Sequence, residues 1–191
     1  MDLETSPRTG STVRPQLFSS RRTIVLVGLM GAGKSTIGRR LAAELGVRFV
    51  DSDNEIADAA ECSISDIFAI YGETIFRDLE KRVIIRLLGS EPIVLATGGG
   101  AFMNPQIREA VKEHGLSIWL RADVEVLLER VSRRNTRPLL ESGDKREILL
   151  RLKAEREPVY GTADMVVDND IGDHDKVVMD ILELLKGKQW V

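Results

Sequence analysis

The chain has 191 residues, 43% hydrophobic and 30% charged, with 27 basic against 30 acidic side chains and a formal net charge of −3. That is enough for one globular domain and one core, and the balanced charge gives no broad cationic field to attract nucleic acid. No apolar run approaches the roughly 20 residues a membrane-spanning helix needs, so no membrane partner is expected. The single cysteine, Cys62, cannot form an internal disulfide and fits a reducing, cytoplasmic compartment.

Residues 1–22 mix Ser, Thr, Pro, Gly and Arg without apolar periodicity. With Asp2 and Glu4 and no continuous apolar stretch, they read as a disordered N-terminal tail, not a signal or transit peptide. A single domain is expected over 23–191. It opens on Thr23–Val27, short, β-branched and bounded by Gly28, which predicts a strand buried on both faces. From Ser35 to Leu45, Ile37, Leu41 and Leu45 recur at helical spacing, and Gly46 is placed as a stop. Val47–Val50 reads as a second strand ending at Asp51.

Short helices are expected around Glu55–Ala60 and Ser63–Tyr71, then, past Gly72, a longer one with Ile75, Leu79, Val83 and Leu87 in one apolar row. Pro92–Ala96 is the third strand and runs into Thr97-Gly98-Gly99-Gly100. Asn104-Pro105 supplies an N-cap and a proline at the first helical position, opening a helix to about Glu113. Leu116–Leu120 is a fourth strand, followed by a helix capped by Asp123. Residues 132–143 are polar and basic and read as a lid. Asp144 with Glu147 opens a helix to about Glu157, and a strand near Ala163–Val167 and a helix from about His174 to Lys186 complete the chain. Strands alternating with helices predict a parallel sheet with right-handed crossovers, an α/β sandwich.

Gly28-Leu29-Met30-Gly31-Ala32-Gly33-Lys34-Ser35 fits G-x-x-x-x-G-K-[ST], here after a predicted strand and before a predicted helix. The glycines let successive backbone N–H groups converge on phosphate oxygens, and the helix N-terminus adds its positive end. Lys34 should reach the β- and γ-phosphates of a nucleotide and the Ser35 hydroxyl should ligate Mg²⁺. Such a loop alone does not separate a switch GTPase, a motor and a small-molecule kinase.

Other residues do separate them. Asp51 and Asp53 stand at the C-terminal end of the second strand, where open α/β sheets bind ligands. At i and i+2 of extended chain they would look the same way, one toward Mg²⁺ and one toward a substrate hydroxyl; the alternative is that Asp53 caps the next helix. Phe76, Glu80, Ile84 and Leu88 form a helical row, which puts an acid inside an apolar stripe with Arg77 three residues before it. Ile148, Leu152 and Arg156 likewise put an arginine in an aliphatic row. Two inward arginines could grip a carboxylate in a planar, bidentate manner, or serve two structural salt bridges. Gly98-Gly99-Gly100 costs more chain entropy than a turn requires and points to close approach of backbone to a ligand or a neighbour. Arg130, Arg133, Arg134 and Arg137 surround the lid, and one of them could meet a transferring phosphoryl group on closure.

Taken together, from Thr23 to about Leu185, the chain resembles the shikimate kinases, within the nucleoside-monophosphate-kinase-like P-loop group. The resemblance rests on Gly28–Thr36, Asp51-Ser52-Asp53, Phe76-Arg77-x-x-Glu80, Thr97–Gly100, Arg137-Pro138-Leu139-Leu140 and Arg156-x-Pro158-x-Tyr160. It implies a P-loop kinase fold, a three-layer sandwich on a five-stranded parallel sheet of order 2-3-1-4-5. It implies transfer of the ATP γ-phosphoryl group to the shikimate 3-hydroxyl with Mg²⁺, on the way to chorismate and the aromatic amino acids; apart from the resemblance, a monomer is expected. By the same resemblance, Gly31, Ala32, Gly33, Lys34, Ser35, Thr36, Arg130 and Arg137 bind ATP, with Ser35 and Asp51 at the metal. Asp53, Arg77, Gly98, Gly99, Gly100 and Arg156 bind shikimate, Glu80 orients Arg77, and Phe68 and Phe76 wall the pocket. Lys34, Asp53 as base and Arg137 from the lid are the catalytic set. The chain departs from the family at Val167-Asp168-Asn169-Asp170, which lacks the proline of the adenine loop. A kinase for another polyol acid such as gluconate, and a ligand-binding relative without turnover, are the competing readings.

Overall fold

The computed structural model describes residues 22–133, 144–170 and 173–188. In chain order it contains β1 (Thr23–Val27), α1 (Lys34–Leu45), β2 (Arg48–Asp51), α2 (Ser52–Ala60), α3 (Ile64–Leu88) and β3 (Ile93–Ala96). A 3₁₀ turn at Ala101–Met103 leads to α4 (Pro105–His114), β4 (Gly115–Arg121), α5 (Val124–Ser132), α6 (Lys145–Tyr160), β5 (Met165–Asp168) and α7 (His174–Gly187). The five strands form one sheet of order β2-β3-β1-β4-β5 with every pairing parallel. Every residue of β1 and β3 is buried. Because successive side chains of a strand alternate faces, that pattern requires helical cover on both sides of the sheet. Among the helices, α1 packs on β3 and α7, and α4 on β4 and α3.

The order expected from the resemblance is the order found, and it puts β1 and β3 side by side. Between those two strands the sheet reverses direction of winding, so the loops after them border one crevice. The loop after β1 is the phosphate motif and the loop after β3 is the glycine run.

Three local expectations are corrected. The core row of α3 is Phe76, Glu80, Ile84 and Leu88, joined by Val83 and Leu87, whereas Ile75 at the head of the expected row is 53% exposed. The helix is interrupted at Gly72, where the sequence placed the break, with φ 78° and ψ 171°. Helix α2 starts at Ser52 and not near Glu55, because Asp51 caps it by accepting from the Asp53 N–H. Asp53 therefore sits in the first helical turn rather than on extended chain, and it is not the cap. Finally, α6 runs on through Pro158 to Tyr160.

Candidate active site

The loop between β1 and α1 turns at Gly31 and Gly33, whose φ values of 82° and 91° lie in the left-handed region that side chains beyond glycine resist. Gly33 offers α1 no side-chain cap, leaving first-turn N–H groups available to an anion. The ammonium of Lys34 lies along the loop, donating to the carbonyls of Gly28 at 2.7 Å and Leu29 at 2.9 Å. A cleft of about 560 Å³ opens over this loop, lined by Gly31, Gly33, Lys34, Ser35, Thr36, Asp51, Asp53, Gly98, Gly99 and Arg130 among others. That volume is ample for a small-molecule site. Ala32 lies buried beneath it. At the far end Arg130 donates to the Gly31 carbonyl at 3.4 Å, and burial draws its pKa below the ordinary arginine value.

Ser35 donates its hydroxyl hydrogen to Asp51 Oδ2 at 2.6 Å, so the two side chains named for the metal do meet. They offer hydroxyl and carboxylate oxygen next to the phosphate loop, and among the described residues no group of three His, Cys, Asp or Glu gathers as a metal cage. This donor set fits Mg²⁺, which is held by one or two protein oxygens together with phosphate and water.

The glycine run joins this cleft to a second set of charges. A Cβ on Gly98 would lie 2.7 Å from Glu80 Oε1 and 2.9 Å from Asp53 Oδ1. On Gly99 it would lie 3.5 Å from an Arg156 guanidinium nitrogen, and on Gly100 2.7 Å from one of Arg77. Glu80 is 1% and Arg156 6% exposed, so the misplaced acid and the misplaced arginine of the two apolar rows are both buried at one spot. Glu80 accepts from Arg77 at 2.8 Å. Burial pushes the Glu80 carboxyl up from its ordinary value, and Arg77 works against that shift. Burial opposes the Arg77 charge too, but Glu80 and Glu73 together hold its pKa above the ordinary arginine value. The Arg77 guanidinium also lies over the Phe76 ring, 5.1 Å from its centroid, and Phe76 stacks at 4.5 Å on Phe68. Asp53, Arg77, Glu80 and Arg156 thus all lie against Gly98–Gly100, with Phe76 and Phe68 next to Arg77.

Some expectations lie outside the described residues: Arg134, Arg137 and all but the start of the segment 132–143, as well as all but the last residue of the tail 1–22. Conversely, four positioning side chains were not anticipated. Ser52, wedged between the two aspartates, is fully buried and accepts from the Gly98 N–H at 3.1 Å. Glu73 adds a second acid to Arg77 at 3.0 Å, a partner legible in its i, i+4 spacing. Asn169, 1% exposed, donates to the Ala32 carbonyl at 2.8 Å, while its own N–H donates to the Arg121 carbonyl. Tyr160 donates to the Gly99 carbonyl. Asp170 and His174 line the arginine end of the cleft, and nothing in their spacing marked them.

Comparison with known proteins places the chain in a family. A family model described as shikimate kinase matches residues 30–186. The chain is 59% identical over 155 residues, 80% of each chain, to the shikimate kinase of Paramagnetospirillum magneticum. It is 49% identical over 178 residues, 93% of this chain and 88% of the relative, to the shikimate kinase of Brucella canis. A solved structure of shikimate kinase from Acinetobacter baumannii in complex with shikimate superposes with a TM-score of 0.85 at 37% identity, covering 89% of this chain and 96% of that one. The chain belongs to the shikimate kinase family.

Proposed function

We propose that this chain transfers the γ-phosphoryl group of ATP to the 3-hydroxyl of shikimate, giving shikimate 3-phosphate and ADP. The observation that carries the reading is the meeting of Arg77, Arg156, Glu80 and Asp53 on three successive glycines beside a phosphate loop. Two guanidiniums present the planar donors a carboxylate needs, and Asp53 presents an acceptor for a hydroxyl proton. A neutral polyol would give Arg77 and Arg156 nothing to neutralise.

In this reading the N–H groups of Gly31–Thr36 and the Lys34 ammonium hold the β- and γ-phosphates, and Arg130 lies against the base. Ser35 and Asp51 would hold Mg²⁺, which when bound offsets charge on the phosphates. Arg77 and Arg156 fix the shikimate carboxylate, Glu80 keeps Arg77 in place, and the Phe68–Phe76 pair covers the ring. Asp53 then accepts the proton of the attacking hydroxyl as its oxygen bonds the γ-phosphorus and the bond from that phosphorus to the β–γ bridging oxygen breaks, the bridging oxygen leaving on ADP. Phosphoryl transfer of this kind is mainly positioning and electrostatics, which is what the cleft supplies.

The test is a coupled ADP-release assay comparing shikimate, quinate and gluconate at equal concentration. Turnover confined to shikimate is expected. Faster turnover of gluconate, or shikimate binding without any ADP release, would overturn the proposal.

A further inference from the structure

We propose that Tyr160 is a positioning residue for the substrate side of the site, locking the peptide plane between Gly99 and Gly100 through its phenolic hydroxyl. The inference rests on the shikimate kinase reading above. Tyr160 is the last residue of α6, one turn after Arg156, and is 1% exposed. Its ring packs on Trp119 with centroids 5.9 Å apart, and its hydroxyl donates to the Gly99 carbonyl beside the Arg156 guanidinium, which acts on the phenol against the effect of burial.

The need for an outside lock follows from the sequence. A run of three glycines has no Cβ to limit its torsions, so its peptides flip readily unless a hydrogen bond holds them. The Gly98 and Gly100 carbonyls are held from within, accepting at 3.1 Å from the N–H groups of Ala101 and Met103 in the following 3₁₀ turn. Among the described residues the Gly99 carbonyl receives no such local donor, and Tyr160 supplies one from a different helix. In a trans peptide the C=O and the next N–H point opposite ways. Fixing the Gly99 oxygen therefore fixes the direction of the Gly100 N–H, and with it the backbone against which Arg77 lies. Gly99 also stands between the phosphate loop and Arg156, its Cβ position 3.6 Å from both the Gly28 carbonyl oxygen and the Met30 nitrogen. A flip there would disturb the surface the two arginines share while leaving the loop's own turn at Gly31 and Gly33 untouched.

The experiment compares Tyr160→Phe with Trp119→Phe by steady-state kinetics and thermal unfolding. Tyr160→Phe removes one oxygen and keeps the ring, whereas Trp119→Phe disturbs the same packing and keeps the hydroxyl. The expected result is a shikimate KM raised about tenfold in Tyr160→Phe, with the ATP KM within twofold of the parent and no comparable rise in Trp119→Phe. Equal shikimate KM for Tyr160→Phe and parent, whatever the change in Tm, would make Tyr160 a core residue only. So would equal rises in both variants. Parent enzyme that failed to turn over shikimate would instead refute the functional reading, so the two failures are distinguishable. If Tyr160→Phe does not fold, ¹⁹F spectra of parent protein carrying 3-fluorotyrosine replace it. Of its two tyrosines, the Tyr160 resonance should move when shikimate is added, and an unmoved resonance would overturn the proposal.

Discussion

Replacing Gly100 by alanine separates the site from the fold more cleanly than removing any charge would. Gly100 has φ −97° and ψ −13°, a conformation alanine adopts without strain, so the backbone itself tolerates the change. The nearest atoms to the new methyl group all belong to Arg77: its Cβ would lie 2.7 Å, 2.8 Å and 2.9 Å from Nη1, Nη2 and Cζ of the guanidinium. The guanidinium must retreat by roughly 1 Å, a displacement large enough to cost a positioned contact much of its effect. Its loss from a bound carboxylate removes charge-assisted bonds worth about 1.5–3 kcal/mol, which corresponds to a shikimate KM raised roughly 10- to 100-fold. Stability should change little. Alanine in a permitted conformation gains about 0.4–1 kcal/mol through the unfolded chain, which offsets part of a weakened Arg77–Glu80 pair. The assay is steady-state kinetics with each substrate varied in turn, alongside a thermal scan. A shikimate KM within threefold of the parent, or an equal loss in ATP affinity, would refute the assignment of Arg77 to the carboxylate.

Three further outcomes are expected. Lys34→Ala should fold and lose nearly all turnover at saturating ATP, because a charge aimed at the transferring phosphoryl group is commonly worth several kcal/mol; normal turnover would exclude that role. Asn169→Asp should weaken ADP binding, measured by calorimetry, at least as much as Asn169→Ala, roughly tenfold. The carboxylate would face the Ala32 carbonyl where the amide now donates, and shikimate binding should be unchanged; an aspartate as good as asparagine would mean the amide does not hold the loop. Burial pushes the Tyr160 phenol from 10.0 up to about 12, so the folded state keeps a proton the unfolded chain gives up. Stability is then full below pH 10 and falls between pH 10 and about 12, by about 2–3 kcal/mol in all; Tyr160→Phe should remove that part of the alkaline decline, and an unchanged decline would place its origin elsewhere.

Periodicity and turn chemistry were enough to expect all five strands, because each contains an apolar run that ends at or within two residues of a Gly, Asp or Arg. The order of those strands came from the resemblance, since a pattern of elements does not say which neighbours pair. The phase of α3 was legible in one row and misleading in the other. An i, i+4 row turns about 40° per step on a 3.6-residue helix, so the row that is buried at Val83 and Leu87 has swung out to solvent by Ile75. The convergence of Asp51 and Asp53 was expected for the wrong geometric reason. Both reach the cleft, but Asp53 does so from a helical turn that Asp51 caps. Ser52 and Asn169 were missed because a buried polar residue gives no sign in sequence of where its partner lies. Their partners are 46 and 137 residues away, joined only by the sheet order.

The charged residues and the glycines of the site are two halves of one packing solution. Burying Glu80 and Arg156 is costly unless each finds a partner or a ligand, since an isolated charge in the interior loses its hydration. Yet the partners must leave an open face for a substrate, so they cannot close on one another as a simple pair. Backbone without Cβ atoms resolves that conflict. Gly98 admits the carboxylates of Glu80 and Asp53, Gly99 admits Arg156, and Gly100 admits the plane of Arg77. Two of the unsatisfied atoms agree with it: Glu80 Oε1 and Arg156 Nε are buried without a hydrogen bond in the described residues. An ordinary core would remove such atoms or pair them, because an unmet buried polar group costs about 1–3 kcal/mol. On the function proposed above, their persistence at the junction of the glycine run and the phosphate loop is the cost in stability of holding charges ready for a charged substrate.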